Sequence, residues 1–488
     1  MSIEKKAEKK AESEVESIES VERESEALTA WPYRMGLAFY KAAISTFFAA
    51  GGLVFLKKKY ETGLAERMGN FGPDIPRNAL WIHAVSVGEV QSAVSLIDAA
   101  RTREQEEDSL IQRAGRCNRL QLQEKNCILS TVTTTGRIMA EKLAARKVNA
   151  MIYSPWDTPR FVKRALDTLA PKAYIAMETE RWPTMLSELH ARKIPAFLVN
   201  GRLSSESAQK LRGQKTFWRG VLCCFDRLLV RFESDKELFL SLSVPEEKIV
   251  VTGDCKIDAM FARRNEMKKT GDVNPWRHLR RENEPPGSSP LFLAGSTHEG
   301  EDEVVLAAFE KVREMYPRSR LVIVPRHPQR ALYVVAAALP YGETELFTDR
   351  NPSGHEAACK REAVDWDIAV VGKIGVLFEL YSVVDAAFVG GSLVPKGGQN
   401  IMEPALFGIP LTHGPNMDSF PNAARMDALG AAQTVENASQ LAKAWSRAMD
   451  PVERTRFQKA SREYFASVGG AGPRSWDVIK QFLAEEKT

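Results

Sequence analysis

The chain has 488 residues, 44% of them hydrophobic and 27% charged, with a formal net charge of +4. That length exceeds what one hydrophobic core organises and points to two domains, while the composition excludes wholesale disorder and a multi-span membrane protein. A mildly basic balance without a basic stripe or aromatic platform gives no nucleic-acid partner, and six cysteines without CxxC or zinc-like spacing give neither a disulfide framework nor a structural metal.

Residues 1–30 are rich in Glu, Lys and Ser and poor in aliphatics, which reads as a solvated, disordered tail. Residues 35–56 are apolar apart from Lys41, and their unbroken part, 42–56, is short for a bilayer span. The tail before them carries more acidic than basic residues and no cleavage site, unlike a secretory signal. Lys57, Lys58 and Lys59 follow at once and place the protein on the cytoplasmic side, against anionic headgroups. Segment 31–59 is therefore expected to associate with a membrane, either spanning it or lying along it with Lys41 snorkelling. A buried core helix is the other reading.

From Ala79 onward a short β-rich run, a turn of small or polar residues and an amphipathic helical stretch recur, which implies parallel strands joined by crossover helices. The first half offers strands at 80–85, 127–132, 173–177, 196–200, 227–231 and 248–252. The second offers 290–294, 320–324, 366–371, 386–389 and 409–413. Residues 262–289, charged and rich in Pro and Gly, read as a linker between two Rossmann-like domains, 60–261 and 290–488. The charged stretch 101–126 reads as a surface insertion. Doubly wound sheets bind ligands at the carboxyl ends of their strands, so two facing sheets are expected to frame a central cleft. Neither GxGxxG after a strand nor GxxxxGK[ST] is present, which leaves a dinucleotide dehydrogenase and a P-loop ATPase unsupported.

The motifs fall at those strand ends. WIHAVSVGEVQSAVSLI (81–97) reads as strand, tight turn at Gly88, then helix, with Glu89 in the first helical turn. There the helix dipole is expected to lower a carboxyl pKa, and Glu89 is either a general base or a plain helix-stabilising acid. METERWP (177–183) sets Glu178 and Glu180 beside a tryptophan, as paired acids of a cleft or as capping and surface groups. Arg202 in NGRLS is a candidate clamp for an acidic group, and Lys256 in TGDCKID lies where the first half ends. In the second half AGSTHEGEDE (294–303) follows a strand and opens a helix, offering backbone N–H groups with Ser296 and Thr297 to a phosphate. PRHPQR (325–330) adds Pro325, Arg326 and His327. The glycine-rich stretch 390–415 leads into Asn400, Ile401, Met402 and Glu403, where a carboxylate can hold two ribose hydroxyls.

HAVSVGE, TTTG, METERWP, NGRLS, GSTHEGE, PRHP and GGSLV with GGQN and EP occur in one order, and together they resemble the Kdo transferases, enzymes that add 3-deoxy-manno-octulosonic acid to lipid A precursors. The similarity runs from about Trp31 to the carboxyl end. It implies an α/β GT-B fold, a CMP-Kdo donor, a tetraacyl lipid A precursor as acceptor, inversion without an essential metal or other cofactor, and attachment to the cytoplasmic face of the inner membrane. It further implies Glu89 as general base, Glu178 and Lys256 as groups stabilising the transition state, and a nucleotide site of Pro325, Arg326, Ile374, Gly375, Val376 and residues 400–403. Many members have Asp-Thr-x-Gly-Glu-Leu where this chain has Gly372-Lys373-Ile374-Gly375-Val376-Leu377, so two acidic side chains are absent, and Arg181 stands in place of a usual Leu. The competing expectations are a GT-B enzyme or epimerase acting on a UDP-sugar, and a non-catalytic lipid-binding scaffold.

Overall fold

Strands separated by helical stretches cannot close tight hairpins, so they pair in parallel and bury both faces of the sheet. The computed structural model describes residues 26–52, 56, 60, 62–113, 126–269, 274–280, 288–348, 366–420 and 422–485. Most of the expected tail, residues 53–55 and Lys57, Lys58 and Lys59 of the expected membrane segment, residues 114–125 of the expected insertion, and residues 270–273 and 281–287 of the expected linker lie outside the described residues. The described residues fall into two units, one within Met1–Ala262 and Val468–Thr488, the other within Arg263–Ser467. Where the sequence suggested one carboxyl-terminal block from 290 to 488, the last segment instead returns to the first unit.

The first unit is built on β1 (Leu80–His83), β2 (Cys127–Thr131), β3 (Ala150–Tyr153), β4 (Ala173–Met177), β5 (Ala196–Gly201), β6 (Arg227–Val230) and β7 (Ile249–Val251). They run parallel in the order β3-β2-β1-β4-β5-β6-β7, the doubly wound pattern whose order reverses between β1 and β4. Successive residues feed opposite cores: Tyr174 and Ala176 of β4 join one cluster, Ala173, Ile175 and Met177 the other. Five helices matter for the site: α1 (Trp31–Phe47), α2 (Val87–Arg113), α3 (Pro183–Ala191), α4 (Lys215–Cys223) and α5 (Cys255–Lys269). The expected insertion thus begins as an extension of α2.

The carboxyl-terminal helix, Ala471–Glu485, buries Trp476 and Ile479 in the cluster that also holds Val90 and Leu96 of α2. Asp258 receives the N–H groups of Gly470 and Gly472 at 2.6 and 2.7 Å, and Arg474 Nε donates to the carbonyl of Thr252. These bonds and that apolar face are why residues 468–485 belong to the first unit.

Helix α1 lies against α3 and α4. Tyr33 is buried with its hydroxyl 3.4 Å from Cys224 Sγ, Tyr40 donates to Asp157 Oδ2 at 3.0 Å, and Lys41 pairs with Glu188 at 3.1 Å rather than reaching outward alone. Asp157 also accepts the N–H groups of Thr184 and Met185, and burial pushes its carboxyl pKa up to about 6. The other face leaves Trp31, Met35 and Phe39 exposed. The helix is therefore neither wholly core nor free, and after Phe47 the backbone breaks at Gly51 (φ +94°). Among the described residues no helix is long and apolar enough to cross a membrane.

The second unit holds β8 (Leu291–Thr297), β9 (Arg320–Pro325), β10 (Thr344–Phe347), β11 (Ile368–Val371), β12 (Ala386–Val389), β13 (Leu411–His413) and β14 (Gln433–Thr434), parallel in the order β10-β11-β9-β8-β12-β13-β14. Its order reverses between β8 and β12. Helix α6 (Asp302–Met315) lies on one face with Ala438–Ala448, whose Trp445 stacks on Phe292 at 4.9 Å. Two short helices, α7 (Leu377–Tyr381) and α8 (Met402–Leu406), follow β11 and the glycine-rich loop after β12. Strands β3, β10 and β14 are absent from the sequence reading, and all three are sheet edges.

Candidate active site

Each sheet carries its candidate residues around the point where strand order reverses. In the first unit the chain leaves β1, turns through residues 84–86 and enters α2, which puts Glu89 in the first turn with its Oε2 accepting the backbone N–H of Val85. It is 6% exposed. Here the expectation of a lowered pKa fails: its carboxyl is pushed up to about 7, chiefly by burial, with Glu180 and then Glu178 adding to the rise. The Val85 hydrogen bond and His83 act the other way without overcoming it. Desolvation outweighs the helix terminus because the side chain sits inside the turn rather than in water.

Glu178 follows β4 directly and adopts a left-handed backbone, φ 55°. The conformation is held by two main-chain bonds, its N–H to Val199 and its carbonyl from the N–H of Arg202. Its side chain is almost fully buried and doubly paired, Lys256 Nζ at 2.7 Å on one oxygen and Arg202 Nε at 2.9 Å on the other. Two cations on one carboxylate leave a formal excess of one positive charge, with Arg202 nearly half exposed. Three residues that the sequence singled out separately are thus one cluster. Glu180 receives the Trp182 indole N–H at 2.7 Å and lies 3.8 Å from His83 Nε2. Arg181, where a leucine was usual, stacks loosely on Trp218 at 6.0 Å, and burial lowers its pKa.

Sequence reasoning passed over Asn200. Fully buried at the end of β5 with φ 57°, it accepts the N–H of Cys255 and so starts α5, which carries Lys256 to the cluster. NGRLS was read only for its arginine. An asparagine ahead of it is a residue that tolerates the left-handed region.

In the second unit a cavity of about 180 Å³ opens at the carboxyl ends of β8, β9 and β11. Six expected donor-site residues line it: Ser296, Pro325, Arg326, Ile374, Gly375 and Glu403. Thr297, Val376, Asn400, Ile401 and Met402 do not. Thr297 and Ile401 are buried, and Val376 packs on the hydrophobic cluster beneath. Asn400 accepts the N–H of Met402, the first residue of α8, and donates its amide to Glu403 at 3.2 Å. Burial raises the Glu403 pKa while Arg263 opposes the rise. Arg263, Lys373 and Phe378 also line the cavity and were not anticipated.

The amides expected to meet a phosphate at 294–303 are partly taken by the chain itself. Glu301, fully buried, accepts the N–H groups of His298, Gly391, Ser392 and Leu393 at 2.7–2.9 Å, tying the turn after β8 to the turn after β12. Gly390 is required there, since a Cβ would sit 2.6 Å from the carbonyl oxygen of Ser296. Among the described residues no group of three or more His, Cys, Asp or Glu is placed to hold a metal ion.

Residues 62–259 match the family model described as 3-Deoxy-D-manno-octulosonic-acid transferase (kdotransferase). The 3-deoxy-D-manno-octulosonic acid transferase of Haemophilus influenzae is 31% identical over 88% of this chain and 94% of its own length. The chain belongs to the Kdo transferase family. It is accordingly a glycosyltransferase of lipopolysaccharide biosynthesis. A second Kdo transferase, from Bordetella pertussis, is 28% identical over 87% of this chain and 93% of its own. UDP-GlcNAc 2-epimerase from Neisseria meningitidis shares the fold, with a TM-score of 0.55 at 14% identity over 83% of this Kdo transferase and all of the epimerase. The epimerase of Methanocaldococcus jannaschii gives 0.52 at 13% identity, over 83% and 99%. Both sheets are thus of the GT-B type, and the likeness to epimerases is one of fold alone.

Proposed function

We propose that this Kdo transferase moves Kdo from CMP-Kdo to a tetraacyl lipid A precursor with inversion, and that Glu89 is its general base. The observation that carries the mechanism is Glu89 itself, a nearly buried carboxylate at the reversal point of the first sheet with its pKa pushed up to about 7. In the step, an acceptor hydroxyl oxygen attacks the anomeric carbon of Kdo while the carbon–oxygen bond to the phosphate breaks. CMP leaves with that electron pair, and the hydroxyl proton passes to Glu89. One displacement inverts the anomeric centre without a second carboxylate as nucleophile.

Glu178 is a poor nucleophile in this setting, since both its oxygens are held by cations. Its role is to fix Lys256 and Arg202, whose positive groups stabilise negative charge developing in the transition state. The cavity of the second unit suits the donor: Arg326 can meet an acidic group, and Glu403, reached by Asn400, can hold ribose hydroxyls. The exposed stripe of Trp31, Met35 and Phe39 favours a helix lying in the interface plane of the inner membrane, on its cytoplasmic face, with its opposite side packed on the protein.

The reading is tested with native protein offered CMP-Kdo or UDP-sugars, with and without tetraacyl lipid A precursor. It requires Kdo-bearing lipid from CMP-Kdo only. Transfer from a UDP-sugar, or lipid binding with no turnover of CMP-Kdo, sinks it.

A further inference from the structure

The segment 372–377, which lacks acidic side chains, places Lys373 on the wall of the second unit's cavity together with Arg263 and Arg326, against the single carboxylate of Glu403. These cations are not equally committed. Arg263 Nη2 pairs with Glu379 Oε1 at 2.6 Å, and its guanidinium lies 4.0 Å over the Phe378 ring. Among the described residues neither Arg326 nor Lys373 has a carboxylate partner, and the Lys373 ammonium lies 5.7 Å from the centre of the Trp276 ring. That ring is buried and gives the ammonium a fixed neighbour. Uncompensated cations gathered in a concave, part-desolvated site favour an anionic occupant.

Resting on the reading that the donor is CMP-Kdo, two acidic groups enter such a site, a phosphodiester and a sugar carboxylate. An arginine fork matches a planar carboxylate, whereas an ammonium is a compact point charge with no planar preference. We propose that Lys373 is a donor-contacting residue whose ammonium binds the nucleotide phosphate, leaving Arg326 for the carboxylate. The same contact holds CMP after transfer, so Lys373 also sets how strongly that product inhibits the enzyme.

Titration calorimetry of CMP, UMP and cytidine against the full chain tests this with K373M, which keeps a side chain of similar length without the charge, and K373R, which keeps the charge. CMP affinity is expected to fall by about tenfold or more in K373M, as for a lost charge-assisted hydrogen bond, to recover largely in K373R, and to weaken less steeply with added salt in K373M. Cytidine, which has no phosphate, is expected to bind all three proteins alike. CMP bound as tightly by K373M as by native protein overturns the proposal, and so does an equal loss of cytidine and CMP, which marks a damaged pocket. A native protein that prefers UMP sinks the donor reading but not the lysine contact, provided K373M weakens UMP in the same way.

Discussion

A carboxylate titrating near neutrality is deprotonated often enough to accept a proton and basic enough to keep it through the transition state. Glu89, with its pKa pushed up to about 7, must be ionised to act as the proposed base, so the transfer rate is expected to fall as pH drops through about 7, by about tenfold per unit below it. Glu180 is the largest contributor to that rise after burial, so Glu180→Gln is expected to move the acidic limb of the kcat profile to lower pH. A limb that stays in place contradicts the assignment. Glu301 carries a different burden. Glu301→Gln turns an amide NH2 toward backbone donors and leaves buried N–H groups unpaired, at a cost of about 3 kcal/mol; thermal unfolding of the variant checks it, and an unchanged midpoint contradicts it. The pairing of Glu178 with Lys256 and Arg202 joins three separately legible motifs, whereas Glu301 was hidden inside one. Its acceptors' donors lie some ninety residues away, at 391–393, and no local spacing reveals a bond of that reach.

At the scale of elements, the central strands were legible because burial on both faces demands an unbroken apolar run, as in Ile175–Met177's neighbours along β4. The edges were not. Strand β14 has two exposed residues and β10 is mostly half-buried, so neither carries the apolar signal that a central strand needs. Which sheet the carboxyl-terminal helix covers depends on Trp476, Ile479 and the Asp258 cap, contacts that no local spacing reveals. Trp476→Ala is expected to destabilise the first unit by roughly 3 kcal/mol, the cost of emptying a large core site. Urea unfolding followed by far-UV circular dichroism measures this, and a shift confined to the second unit contradicts the placement.

At the scale of the whole molecule, the proposed mechanism draws on both Rossmann-like units, with Glu89 in the first and the cavity proposed for the nucleotide in the second. Helix α1 carries Trp31, Met35 and Phe39 exposed on the side away from the protein, the side proposed to meet the membrane. Replacing Trp31 and Phe39 by serine is expected to weaken binding to anionic vesicles by about tenfold or more, while transfer to a detergent-dispersed acceptor persists. Co-sedimentation separates the two effects, and unchanged vesicle binding removes the helix from the membrane contact. The central claim is that Glu89 accepts the acceptor's proton in Kdo transfer. Its most direct test is single-turnover transfer from CMP-Kdo to tetraacyl lipid A precursor by native protein and by Glu89→Gln, each shown to be folded and to bind CMP. The account predicts a loss of at least about a hundredfold in the variant with CMP affinity unchanged, and a Glu89→Gln protein that transfers Kdo at the native rate contradicts it.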